Sequence, residues 1–273
     1  VKPFLKWAGG KYRLVERISA LLPPGKRLIE PFVGSGALFL NTNFNAYLLA
    51  DANGDLINLY TRLRDGGDDF VEACALLFTP EANSRKVFDA RRSAFNATCD
   101  GWERARLFVY LNKHCYNGLC RYNSKGAFNV PFGRYAKVAF PEAEMRAFQA
   151  KALAAEFVCA DFGEVMRRAQ PGDVVYCDPP YVPLSNTAHF TSYSATPFDL
   201  SAQERLAAVA RLLAIRDIPV LISNHNTELT RALYAGAKIE QFSVRRSISC
   251  NAATRGVTGE LLALFTGGGQ AAD

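Results

Sequence analysis

The sequence predicts an α/β fold of about seven strands alternating with helices, interrupted by one insertion. Three observations carry this. Apolar runs of strand length recur at 27–32, 47–50, 156–159, 173–177, 218–223, 238–245 and 260–265. Stretches of helical periodicity lie between most of them. From about Gly54 to Tyr116 the alternation stops, and helical segments follow one another. A chain of 273 residues, 49% of them hydrophobic, accommodates one large domain or a domain carrying an insertion.

Residues 4–12 form a compact lead-in, where Gly9-Gly10 lets the backbone approach a neighbour. Lys11 to Leu22 reads as a helix, ended by Pro23-Pro24-Gly25. The strand at 27–32 runs into Val33-Gly34-Ser35-Gly36, with Ala37 to Asn43 helical behind it. A strand, a glycine turn and a helix together present backbone N–H groups to a ligand. The turn is not the dinucleotide fingerprint, because Phe39 stands where the third glycine belongs. The next strand, Tyr47 to Ala50, ends at Asp51, where an acid can accept from ribose hydroxyls. A nucleoside-bearing cofactor is therefore expected.

Helices are predicted over 55–65, 69–78, 84–96 and 102–114. Leu119 to Pro131 then reads as a β-hairpin around the turn Asn123-Ser124-Lys125-Gly126. After Pro141 the alternation resumes: a strand at 156–159 ends near Asp161-Phe162, and the strand Asp173 to Cys177, with its apolar run Val174 to Cys177, delivers Asp178. Pro183 to Pro197 is polar and aromatic and reads as a loop that includes His189. Helices at 201–216 and 226–235 flank the strand at 218–223, with His225 read as structural. Gly267 to Asp273 reads as a loose tail. The expected division is a core over 1–53 and 142–273, with an insert over 54–141.

The stretch Asp178-Pro179-Pro180-Tyr181 carries the chemistry. Each proline fixes its own φ, removes a backbone N–H and biases the preceding residue toward extended geometry. The stiff turn aims the Asp178 carboxylate and the Pro179 carbonyl one way, with the Tyr181 ring beside them. Two acceptors and a flat ring suit a planar group bearing an –NH2, such as a nucleobase amine. The bland alternative is a rigid loop whose Asp caps a helix.

Net charge is +6, and its distribution is more telling. From Arg104 to Pro141 there is no Asp or Glu among seven Lys and Arg residues, and Gln241 to Gly259 is also acid-free. Single-sign surfaces attract polyanions, though two solvated basic faces would read the same way. The hairpin adds Tyr116, Asn117, Arg121, Tyr122, Asn123, Lys125 and Asn129, the amide, aromatic and cationic types that read base edges. An ordinary exposed hairpin is the alternative. The seven cysteines are scattered, with no C-x-x-C pair, so reduced thiols and no metal site are expected. No apolar run reaches the ~20 residues of a membrane span, and the first residues lack a signal peptide's apolar stretch. A cytoplasmic protein is the expectation.

Phe4 to Tyr12, Pro31 to Gly36, Tyr116 to Asn123, Asn129 to Gly133 and Asp178 to Tyr181 occur in the order found in Dam-type DNA adenine-N6 methyltransferases. The chain resembles that family from about residue 4 to 265. The resemblance implies a Rossmann-like seven-strand methyltransferase core with an inserted helical and β-hairpin DNA-recognition subdomain. It implies S-adenosyl-L-methionine as donor, S-adenosyl-L-homocysteine as product, no metal, and double-stranded DNA as partner, methylated at a flipped-out adenine within GATC. No obligate protein partner and no membrane are implied, and the implied setting is bacterial and nucleoid-associated, or phage-encoded. By matching positions, Asp178, Pro179 and Tyr181 are catalytic. Trp7, Lys11, Phe32, Gly34, Gly36, Asp51, Asp161, Phe162 and Asp178 lie at the cofactor. Lys6, Tyr116, Asn117, Leu119, Arg121, Asn129, Pro131 and Arg134 face DNA, with Arg121 reading a guanine. Two places depart from the family's pattern: Gly256-Val257-Thr258 after Arg255, where relatives are more basic, and His114-Cys115 before the hairpin. Competing readings are an amine methyltransferase acting on RNA or another DNA sequence, a catalytically dead DNA-binding relative and, more remotely, a nicotinamide dehydrogenase.

Overall fold

The computed structural model describes residues 1–182, 198–245 and 257–267. The polar 183–197 segment, the middle of the second acid-free run with Arg255, and most of the C-terminal tail lie outside the described residues.

Seven strands form one sheet: β1 (Arg27–Glu30), β2 (Ala46–Asp51), β3 (Ala155–Cys159), β4 (Asp173–Cys177), β5 (Val220–His225), β6 (Lys238–Arg245) and β7 (Val257–Phe265). Their spatial order is β3-β2-β1-β4-β5-β7-β6. All are parallel except β7, which runs antiparallel to both β5 and β6. β4 and β5 are buried along their whole length, which is why Val174 to Cys177 and Val220 to Ile222 read as apolar runs. β3, at the edge, exposes much of its length and carries Glu156. The order reverses between β1 and β4, and ligands of open parallel sheets bind beyond the strand ends at such a point.

Nine helices complete the described residues: α1 (Val15–Leu21), α2 (Ala37–Asn41), α3 (Gly54–Ala75), α4 (Arg85–Ala97), α5 (Gly101–His114), α6 (Glu142–Ala152), α7 (Phe162–Arg167), α8 (Leu200–Ile215) and α9 (Glu228–Leu233). α3 joins the helix expected at 55–65 to the one expected at 69–78, which ends earlier, at Ala75. Gly67, at φ 54° and ψ −137°, breaks it between them, a conformation open to glycine. The helix expected from Lys11 starts instead as one 3-10 turn, Tyr12–Leu14, ahead of α1.

Two apolar clusters lie on the two sheet faces. One joins Ile29, Val175, Phe162, Leu206 and Ile222 under α7 and α8. The other runs without a break from the sheet through Phe4, Phe39, Tyr60 and Phe148 into Phe88, Phe108, Phe128 and Val130. Tyr60 stacks on Phe148 at 4.5 Å between ring centroids, with Phe4 edge-on to Phe148 at 5.3 Å. The segment from α4 to the 119–131 loop thus shares one core with the sheet.

The hairpin is shorter than expected. Its arms meet in a single bridge, Tyr122 with Phe128, and a second bridge joins Cys115 to Phe132. The backbone groups that would extend the ladder are used elsewhere. Phe128 donates its N–H to Asn96, whose amide donates back to the Phe128 carbonyl, and Arg92 takes the carbonyl of Val130. Pro131 has no N–H to offer. The Asn123 carboxamide oxygen accepts from the N–H groups of Lys125 and Ala127, which pinches the turn.

Candidate active site and DNA face

Four strand ends converge at the switch point. β4 ends in Asp178, whose Oδ1 accepts from Ser223 Oγ at 2.8 Å and lies 3.0 Å from Lys11 Nζ. Ser223 lies on β5, the strand next to β4. The turn Trp7 to Gly10, closed by the Gly10 N–H on the Trp7 carbonyl, delivers Lys11; Gly9 sits there at φ 75°. Lys11 is 9% exposed, and its Nζ lies 4.4 Å from the Tyr181 ring centroid. Burial opposes its charge. The Asp178 carboxylate, with Tyr176 and Glu260, nonetheless holds its pKa above the ordinary lysine value. Two buried groups fix the Tyr181 ring: its hydroxyl donates to Glu260 Oε2 at 3.2 Å, and the His225 ring packs edge-on at 4.7 Å. Gln203 donates to the Pro180 carbonyl at 2.8 Å. Among the described residues no donor reaches the Pro179 carbonyl.

Beside this, β1 passes into the glycine turn. Gly34, at φ 47°, packs so close under Trp7 that a Cβ there would lie 2.9 Å from the indole nitrogen. Its carbonyl accepts from the Tyr60 hydroxyl at 2.6 Å. Its N–H donates to Asp51 Oδ2 at 3.2 Å, while Asn53 N–H donates to Asp51 Oδ1 at 2.9 Å. Burial raises the Asp51 pKa to about 6, against the pull of these N–H groups. Gly36, at φ 69°, starts α2 without a capping side chain. Burial raises the pKa of Glu30, on β1, to about 8, against the pull of the Phe39 N–H of that helix. Phe32 stacks on Phe162 at 5.5 Å, with Phe198 edge-on to it. Asp161 caps α7 through the Gly163 N–H and pairs with both outer nitrogens of Arg205 at 2.7 and 2.8 Å. Burial opposes its charge, yet Arg205 and the Gly163 N–H hold its pKa below the usual carboxylate value.

The second group gathers around the Lys6 side chain and the loop that follows α5. Gly118 packs against the Lys6 side chain, and the buried amide of Asn112 clamps the Lys6 backbone, accepting at 2.9 Å and donating at 2.7 Å. Tyr116 is 46% exposed, and its N–H donates to the Pro131 carbonyl. Asn117, at φ 54°, donates its N–H to the Tyr135 hydroxyl, and Lys6 Nζ sits 3.9 Å from the Tyr135 ring centroid. Arg121 Nε donates to Asn129 Oδ1 at 2.8 Å across the pinched loop. Arg121, Asn129, Pro131 and Arg134 are exposed, whereas Leu119 is half-buried. Arg134 adopts φ 53°.

A family model for D12 class N6 adenine-specific DNA methyltransferases matches residues 7–248. The DNA adenine methylase of Escherichia coli strain K12 is 53% identical over 98% of this chain and 96% of its own. That of Serratia marcescens is 52% identical over 97% of this chain and 98% of its own. The chain belongs to the D12 class of N6 adenine-specific DNA methyltransferases. The solved structure of TrmN from Thermus thermophilus is a looser match, at 13% identity and a TM-score of 0.41, covering 93% of this chain and 48% of that one.

As a D12 methyltransferase the chain is an adenine-specific DNA-modifying enzyme on a Rossmann-like seven-strand fold, and its class implies S-adenosylmethionine as donor. Among the described residues no helix is long and apolar enough to cross a membrane. Several groups at this enzyme's site escape a reading of the sequence. Ser223 and Glu260 reach Asp178 and Tyr181 only because β5 and β7 lie beyond β4 in the sheet. A polar triplet, Ser223-Asn224-His225, closing a buried strand was the available signal. Asn224 Oδ1 accepts the Val182 N–H and His225 Nδ1 lies 2.7 Å from the Val182 carbonyl, so the triplet braces the chain just after Tyr181.

Proposed function

We propose that the chain methylates N6 of an adenine flipped out of double-stranded DNA, within GATC, through the acceptors and ring of Asp178-Pro179-Pro180-Tyr181. One observation carries the reading. The Asp178 carboxylate and the Tyr181 ring face a single N–H donor, the Lys11 ammonium, 3.0 Å from one and 4.4 Å from the other. An adenine amine stacked on Tyr181 needs the same two partners, and the Pro179 carbonyl offers a third.

The residues around Asp51 suit the donor chemically. Trp7, Phe32 and Phe162 give flat apolar surface, Asp51 is an acceptor at the end of β2, and Asp161 and Asp178 are two further carboxylates. We assign Trp7, Lys11, Phe32, Gly34, Gly36, Asp51, Asp161, Phe162 and Asp178 to hold S-adenosylmethionine. When bound, that cofactor supplies a methyl group on a sulfonium centre. The chain's own part is to hold the amine. Flipping costs a few kcal/mol of unstacking, and an aromatic platform such as Tyr181 returns about 1–3 kcal/mol. The N6 lone pair is delocalised into the ring. Donation of its two protons to Asp178 and the Pro179 carbonyl draws the nitrogen toward a tetrahedral shape. The fixed carboxylate then stabilises positive charge as it develops on N6. Ser223 orients that carboxylate, and Glu260 with His225 orients the ring.

We assign residues 54–141 as the recognising insert. Lys6, Tyr116, Asn117, Leu119, Arg121, Asn129, Pro131 and Arg134 contact DNA, with Arg121 bidentate to a guanine. The test is methyl transfer from labelled S-adenosylmethionine to two duplexes, one with a single GATC and one with GTTC at the same place. Label in the first duplex alone is the expected result. Equal label in both overturns the GATC assignment, and no label in either overturns the proposed chemistry.

A further inference from the structure

We propose that Tyr122 is a positioning residue that couples cofactor binding to guanine recognition, by tying the base-reading loop to the turn that follows Asp51. The inference rests on the reading above, in which Asp51 serves the cofactor and Arg121 reads a base.

The turn from Asp51 to Asp55 has two faces. Toward the cofactor side, the Asn53 N–H holds Asp51 Oδ1. The Asn53 carboxamide oxygen caps α3 by accepting from the N–H groups of Asp55 and Leu56. Its Nδ2 donates outward to Cys120 Sγ at 3.3 Å. Two residues on, Asp55 Oδ2 accepts from the Tyr122 hydroxyl at 2.6 Å. Cys120 and Tyr122, both half-buried, flank Arg121 in the chain. In extended backbone the side chains at 120 and 122 share a face and 121 takes the other. The residues on either side of Arg121 are thus fastened to the turn, and Arg121 itself projects outward onto Asn129.

The fastening is direct, because it crosses 67 positions of sequence in single hydrogen bonds. It is also separable from the fold. Asp55 keeps a two-pronged ion pair with Arg104 on α5, one arm at 3.0 Å. The Tyr122 ring keeps its edge-on packing with Phe128 at 5.9 Å. Removing the hydroxyl alone therefore leaves Asp55 paired and the ring packed, while the loop loses its charge-assisted tie to the turn. When a cofactor engages Asp51, the shift reaches Asn53 in one hydrogen bond, Asp55 in a second through the Asn53 carboxamide, and the loop in a third through the Tyr122 hydroxyl. Linkage requires the reverse as well: a guanine held by Arg121 strengthens cofactor binding by the same factor.

The experiment uses the full chain as wild type, Tyr122→Phe, Arg121→Ala and Asp51→Ala. S-adenosylhomocysteine affinity is measured alone and with a GATC duplex, and kcat/KM is measured on GATC and on a duplex with the read guanine replaced by adenine. In wild type, the GATC duplex tightens S-adenosylhomocysteine binding about tenfold. Tyr122→Phe brings that factor to within about twofold of one. It also cuts discrimination between the two duplexes several-fold, with S-adenosylhomocysteine affinity in the absence of DNA unchanged. A merely structural residue would lower binary affinity or thermal stability and leave the ratio alone. A Tyr122→Phe ratio equal to that of wild type overturns the coupling, even when Arg121→Ala loses discrimination and Asp51→Ala loses cofactor affinity. If Arg121→Ala keeps full discrimination and Asp51→Ala keeps full affinity, the site assignment fails and the coupling falls with it.

Discussion

At the strand ends, Asp178 is held by two donors and follows a strand buried at every residue, whereas Arg121 is held by the side chain and carbonyl of exposed Asn129 on a loop with one cross-arm bridge. The same chain builds one region from sheet order and the other from side chains that replace a ladder. Position in the first is set by the packing of the whole sheet; position in the second is set by a few local bonds, such as those of Asn96, Arg92 and Asn123. Changes at the strand ends should therefore act on the chemical step and leave sequence preference alone. Changes in the loop should grade the preference and leave the chemistry.

The largest effect that would break this contrast is at Asp178. Asp178→Ala is expected to lower the transfer rate by at least about 10²–10³, the loss typical of removing one group that stabilises developing charge. Its affinity for a GATC duplex in titration should stay within a few-fold of wild type. Arg121→Ala comes next. It should relax preference at one guanine by about 1–3 kcal/mol, read as the ratio of kcat/KM on GATC and on the duplex changed at that base. Ser223→Ala sharpens the contrast: it removes a hydrogen bond to a charged group, about 1.5–3 kcal/mol, and should lower kcat while the base-preference ratio holds.

A further prediction concerns pH and acts on stability, leaving the contrast in turnover untouched. Burial raises the Glu30 pKa in the folded chain from 4.5 to about 8. An acid whose folded pKa is raised favours the folded state below its unfolded pKa and loses that contribution as pH rises through the folded value. Thermal midpoints should therefore fall between about pH 4.5 and 8 through this group, and Glu30→Gln should flatten that part of the profile. An unchanged slope in Glu30→Gln would remove Glu30 from the account.

β1, β2, β4 and the first half of β5 were legible because parallel strands buried on both faces leave apolar runs. The Asp178 motif was legible because two prolines between an acid and an aromatic ring form a local pattern. The break in α3 was legible at Gly66-Gly67, where two periodic segments meet. Ser223 and Glu260 were not, because their contacts exist only once β5 and β7 take their places beyond β4. The shortened hairpin was not, because alternation in Phe128-Asn129-Val130-Pro131 is the same whether the outer edge pairs with a strand or with Asn96 and Arg92. Tyr122 and Asp55 lie 67 positions apart, and no local pattern announces such a bond.

The most direct test of the division of labour is single-turnover methyl transfer by wild type, Asp178→Ala and Arg121→Ala on a GATC duplex and on the duplex changed at the guanine assigned to Arg121. Asp178→Ala is expected to bind both and transfer to neither, while Arg121→Ala transfers to both with a narrowed ratio. Transfer by Asp178→Ala near the wild-type rate, or loss of transfer by Arg121→Ala on saturating GATC duplex, would contradict it.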